Sequence, residues 1–172
     1  MIYFLFKYFD ITILILSLIL FGKEIKLKLF IGIILFNRLG FTLKKFTKLI
    51  YDSYDVKILP ILGRGARPKG ATMDCHPFVF GKRGKMKSES YGMPSGHSIS
   101  AKFALTYISL AIKNGDIETK RNKYYSHIKI FLLGVFAMYV REDVGCHTKQ
   151  QTRVGSVNGI IFAFLYANFS LL

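Results

Sequence analysis

The chain has 172 residues, room for one domain, and 51% of them are hydrophobic, a high share for a soluble domain of this size. Lys and Arg number 25 against 10 Asp and Glu, and the formal charge of +15 points to an anionic partner: nucleic acid, anionic lipid or a phosphorylated substrate. Two cysteines, Cys75 and Cys146, are too few for a disulfide framework, and no C-x-x-C pair or Cys/His cluster has metal-ligand spacing.

In chain order, residues 1–22, with the core ITILILSLILFG, form the first apolar stretch. It has neither a basic leading region nor a small-residue cleavage site, so a retained membrane anchor is expected rather than a cleaved signal peptide. Residues 29–43 are a second stretch, interrupted by Arg38. Lys44, Lys45 and Lys48 then precede a semi-polar piece, 49–63, which reads as a short or half-buried third helix. Between 64 and 94, glycines and lysines (RGARPKGA, FGKRGKMKSESYG) predict a loop. Apolar text returns at 99–112, 128–140 and 154–172.

Only the last block is free of charge over the ~20 residues that a bilayer core requires. The other two need flanking residues, with Lys102, Lys113 and Lys129 snorkelling or facing the bundle interior. Backbone in lipid must satisfy its own hydrogen bonds. The expected fold is therefore all-α, a single membrane-embedded domain over 1–172 built as a bundle of five or six transmembrane helices. There is no internal repeat.

Three polar islands stand out. In residues 91–98, YGMPSGHS, Ser95 is a good N-cap and Gly96 lets backbone approach a ligand closely. His97 then sits at a helix start whose free N–H groups favour phosphate. The second island, 141–159, reads REDVGCHTKQQTRVGSVNG, with five residues between Arg141 and His147. The third, 64–68, holds Arg64 and Arg67, whose forked guanidiniums suit phosphate oxygens. Alternating helix directions bring all three islands to one face and leave the 114–127 connection on the other. His76 and His127 belong to no motif and read as surface or interface histidines. Cys146 reads as a small buried residue, and Lys82, Arg83, Lys85 and Lys87 as facing headgroups or water.

These islands resemble the three signature motifs of the type 2 phosphatidic acid phosphatase superfamily of membrane phosphatases, over residues 60–159. Its first motif ends in Arg-Pro, matched by Arg67 and Pro68. The second is Pro-Ser-Gly-His, matched by 94–97, and the third is Arg, five residues, His, matched by Arg141 and His147. Within the superfamily, YGMPSGHS and HTKQQTRVGSVNG look most like dolichyl diphosphate phosphatases, which cleave polyprenyl diphosphates. Those enzymes tend to have a second serine where Gly96 stands. The superfamily's lysine, expected seven residues before Arg67, falls on Pro60, leaving Lys57 or Arg64 as substitutes. Its aspartate four residues after the third-motif histidine is Gln151.

The resemblance implies a core like that of acid phosphatases and vanadium haloperoxidases, and a neutral His147 that attacks phosphorus to give a phosphohistidine. His97 would be the general acid. Arg67, Arg141, the Ser95 hydroxyl and the Gly96 N–H would hold the equatorial oxygens, and Gln151 would orient His147. No cofactor or metal is expected. The implied substrate is a polyprenyl diphosphate first, phosphatidic acid or another lipid phosphate second. Expected partners are that lipid substrate and membrane lipids, with no nucleic acid. The expected location is a multi-pass integral membrane protein of the endoplasmic reticulum, another endomembrane or the plasma membrane. The missing lysine and aspartate keep one rival from another class, a non-catalytic membrane interaction protein built on the same fold.

Overall fold

The computed structural model describes residues 12, 13, 15, 19, 22–53, 65–69, 71, 91–117 and 123–169. Four long helices are described: α1, Lys23–Ser53; α2, Gly96–Asn114; α3, Lys123–Asp143; and α4, Lys149–Phe169. Among the described residues the only strand-like feature is an isolated antiparallel bridge between Ala66 and Tyr91. Of the first apolar stretch, Thr12, Ile13, Ile15 and Ile19 are described and helical. The remainder of that stretch but for Gly22, residues 54–64 with Lys57 and Arg64, and the 72–90 segment with Cys75 and His76 lie outside the described residues.

α1 runs unbroken for 31 residues through Arg38 and the Lys44–Lys48 cluster, where the sequence suggested a boundary. Charge does not end a helix. Lysine is a good helix former, and this segment holds no proline and no glycine at a stop position. Near its start, Glu24 pairs with Lys28 at 2.8 Å, one turn apart. α2 is sharply bounded. Ser95 caps its N-terminus by accepting from the Ser98 N–H, and Gly115 closes its C-terminus in the left-handed region at φ 90°.

α2 is the central element, packed most extensively on α4 and also on α1 and α3. The α2–α4 contact is close because two glycines face it. A Cβ on Gly155 would strike the Ser95 carbonyl oxygen, and one on Gly159 would strike the Ile99 carbonyl oxygen. Behind that seam, Phe36 of α1 meets Phe103 of α2 and Phe162 of α4, each at 4.7 Å between ring centroids. Tyr166 joins them and donates its hydroxyl to Lys28 O at 2.9 Å. Clusters of this kind are worth about 0.5–1.5 kcal/mol per ring pair beyond the area they bury.

The helices alternate in direction as the sequence implied. Ser95 N donates to Gln151 O at 3.1 Å, joining the starts of α2 and α4, while Thr47 Oγ1 near the end of α1 donates to Met93 O at 2.9 Å. One end of the bundle therefore collects the starts of α2 and α4 and the ends of α1 and α3.

Among the described residues no helix is long and apolar enough to cross a membrane, in contrast to the five or six spanning helices expected. The reason lies in charge spacing. α1 carries Lys23, Lys26, Lys28, Arg38, Lys44, Lys45 and Lys48, and α4 opens with Lys149 and Arg153 among polar residues. Lys102 is buried with its amine 5.6 Å from the centre of the Phe131 ring, whereas Lys113 and Lys129 are exposed. His127 is an interface histidine, its Nδ1 2.6 Å from Ser109 Oγ of α2.

Candidate active site

The end where α2 and α4 begin brings together Arg67, Ser95, Gly96, His97, Arg141, His147 and Gln151. The 64–68 island reaches it as an irregular segment held by the 91–98 island: Gly92 N donates to Gly65 O at 2.8 Å beside the Ala66–Tyr91 bridge. Arg67 is thereby aimed at the α3–α4 turn, where its Nη1 donates to Cys146 O at 2.9 Å and stands 3.3 Å from His147 Nε2.

His147 is almost fully buried, and its hydrogen bonds fix which nitrogen carries the proton. A guanidinium can only donate, so Nε2 facing Arg67 is the lone-pair nitrogen, and Nδ1–H donates to Gln151 Oε1 at 3.2 Å. Burial, followed by the nearby charges of Arg67, Lys44 and Arg141, holds this imidazole well below its ordinary pKa of 6.5, and the bond to Gln151 offsets this only in part. The ring is therefore neutral at neutral pH.

Gln151 explains why an amide stands where the resemblance leads one to expect aspartate. Its Nε2 donates to Gly65 O at 3.2 Å and to Ala66 O at 2.7 Å, while its Oε1 accepts from Thr148 N at 3.3 Å as well as from His147. A carboxylate has no hydrogens to give those two carbonyls and would leave them facing a negative charge. One fully buried side chain thus ties the 64–68 island to the 141–159 island.

Arg141, in the last turn of α3, is also buried, and its Nη2 lies 3.4 Å from His97 Nδ1. Each imidazole therefore stands beside one guanidinium. Ser95 is fully buried, with its Oγ accepting from Ser98 N at 3.4 Å and from Ser98 Oγ at 3.0 Å, so its evident duty is the helix cap. Gly96, by contrast, is half-buried and faces the site.

Two features departed from the sequence reading. Cys146 is not simply a small buried residue, for it is disulfide-bonded, and the chain's other cysteine, Cys75, lies outside the described residues. The second is Lys44 of α1, which belongs to no motif. Its Nζ lies 3.9 Å from where a Cβ on Gly96 would stand, and its charge is felt by both histidines and by Arg67 and Arg141. No sequence signal marked it, because α1 was expected to end just there. Among the described residues no group of His, Cys, Asp or Glu could hold a metal ion. A separate hollow of about 420 Å³ lies at the far end of the bundle, between Lys23, Glu24, Tyr107 and Asn114, and contains no histidine.

Comparison with protein-family models matches residues 26–171 to the PAP2 superfamily, a span that contains all four helices but for the first three residues of α1. The chain belongs to the PAP2 superfamily. Neither the curated proteins nor the solved structures contain a match. The all-α architecture fits PAP2 membership, and because PAP2 proteins are phosphatases, membership supports a phosphoester hydrolase.

Proposed function

We propose that the chain is a membrane phosphatase that hydrolyses lipid phosphates, polyprenyl diphosphate foremost, through a phosphohistidine on His147. The observation that carries this reading is the Arg67–His147–Gln151 chain of contacts, which leaves a neutral ring with its Nε2 lone pair beside a phosphate-binding guanidinium. Nε2 attacks phosphorus in line, the bond from phosphorus to the leaving oxygen breaks, and that oxygen takes a proton from His97, which is protonated once the anionic substrate offsets the cations around it. Water then attacks the phosphohistidine, gives a proton back to His97, and frees inorganic phosphate and His147. Arg67, Arg141 and the Gly96 N–H stabilise the charge that spreads over the equatorial oxygens, and the Ser95 cap fixes the helix start that presents Gly96.

The lipid part of the reading is supported by how the side chains are distributed. Polar and charged residues such as Ser98, Ser100, Lys102, Arg141 and Gln151 are buried, while Phe30, Phe131, Leu132, Phe164 and Leu165 point outward. An apolar flank of this extent suits contact with the lipid of an endomembrane or the plasma membrane, which is the location this reading assigns. The disulfide at Cys146 favours an oxidising compartment on the side of the site. The phrases YGMPSGHS and HTKQQTRVGSVNG favour a polyprenyl diphosphate over phosphatidate.

The test is His147→Asn in detergent-solubilised protein with chelator present. Phosphate release should fall about a thousandfold or more, as for other nucleophile deletions, and retained turnover would sink the mechanism. Release from farnesyl diphosphate should exceed release from phosphatidate, and the reverse order would move the substrate to phosphatidate.

A further inference from the structure

The cation that the first motif lacks is supplied from another element. We infer that Lys44 of α1 is a phosphate-binding residue of this site, its ammonium contacting the transferred phosphoryl group beside Gly96. This rests on the phosphatase reading given above.

The first ground is register. Gly40, Lys44, Thr47 and Tyr51 follow one another at helical spacing and so share one face of α1. Three of the four meet the 91–98 segment or the first turn of α2 that follows it. A Cβ on Gly40 would meet Ile99 of α2, Thr47 Oγ1 donates to Met93 O at 2.9 Å, and the Tyr51 ring packs edge-on against Tyr91 at 5.9 Å. Tyr91 in turn donates its hydroxyl to Thr47 O at 3.3 Å. Lys44 lies between anchored neighbours, so its side chain can only run toward the start of α2.

The second ground is where the amine ends. Its Nζ lies 3.9 Å from the Cβ position of Gly96, at the helix start that presents N–H groups to an anion. Lys45, the next residue along, faces outward and is exposed. The third ground is electrostatic: the charges acting on Lys44 are those of Arg67 and Arg141, both of like sign, and its amine is partly withdrawn from water. A lysine held near two guanidiniums destabilises the empty protein unless an anion joins them. A lysine with a purely structural duty would be expected to face a carboxylate or water. The arrangement fits a phosphoryl group whose oxygens are shared among Lys44, Arg67 and Arg141.

The experiment compares Lys44→Met, Lys44→Arg and the outward control Lys45→Met for phosphate release from farnesyl diphosphate, inhibition by orthovanadate, and melting temperature. Lys44→Met should lower kcat/KM by about a hundredfold, as for loss of one transition-state charge contact, and should weaken vanadate inhibition at least tenfold. Without ligand it should melt at or above the wild-type temperature, because a repelling charge is gone. Lys44→Arg should recover most of the activity, and Lys45→Met should match wild type. Wild-type kinetics in Lys44→Met, or inactivity coupled to a lowered melting temperature, would overturn the assignment while leaving the phosphatase reading intact. No phosphate release by wild type or by Lys45→Met from either farnesyl diphosphate or phosphatidate would instead remove the phosphatase reading, and the assignment with it.

Discussion

At the scale of single residues, Gln151 carries the most distinctive chemistry. Its amide satisfies Gly65 O and Ala66 O with one end and orients His147 with the other. Gln151→Glu keeps the volume but removes both donated hydrogen bonds and sets a negative charge against Nδ1–H. The charge favours imidazolium, so the His147 pKa should rise from its depressed value. The acid limb of the kcat/KM profile should therefore move to higher pH, with kcat at neutral pH down about tenfold or more; an unshifted limb would mean that Gln151 does not act on His147. His97, Arg141 and His147 were legible in sequence because they sit in specific phrases, whereas the Arg-Pro at Arg67 is a weak signal alone and was read only beside the other two. The second duty of Gln151 was not, because it depends on which carbonyls another segment brings near. Lys44 was hidden for a related reason: its partners are set by helix register across the bundle rather than by spacing along the chain.

At the scale of elements, the distance between the two histidines is governed by how α2 seats on α4. Gly155 and Gly159 bring these backbones together one and two turns below the site. In Gly159→Leu the side chain meets the Ile99 carbonyl and the Phe103 backbone, and neither can swing aside as a flexible side chain would. The cost should be about 1–3 kcal/mol or more, read as a lower urea or thermal midpoint, and kcat should fall even below the midpoint temperature because His97 is pushed from His147. Undiminished kcat in a stably folded variant would show that the seam does not set the site. Helix direction was readable from the alternation of apolar blocks and polar islands, which put the three motifs on one end. The length of α1 was not readable, because a lysine cluster looks like an exit from the apolar phase although the backbone has no reason to stop.

At the scale of the molecule, several polar groups, among them Ser98, Ser100, Lys102, Arg141 and Gln151, are buried beside the hydrophobic core, while many large apolar side chains point outward. Composition indicated the excess of apolar residues, but not this distribution, and interleaved lysines leave no described helix apolar enough to span a membrane. The Cys146 disulfide was likewise illegible, since two cysteines in a long chain announce nothing about their separation in space. Arg67 donates to Cys146 O and His147 follows directly, so the bond is joined to the turn that carries His147. Reduction should lower stability by about 2–4 kcal/mol, measured as the difference in unfolding free energy with and without a phosphine reductant, and an identical midpoint would remove any stabilising part for the bond. The cluster of Lys44, Arg67 and Arg141 has a practical corollary. Mutually repelling cations make vacancy the least comfortable condition of this hollow, so any small oxyanion in a buffer will settle there. Preparations in phosphate or sulfate will look sturdier, and work more slowly, than the same protein in chloride.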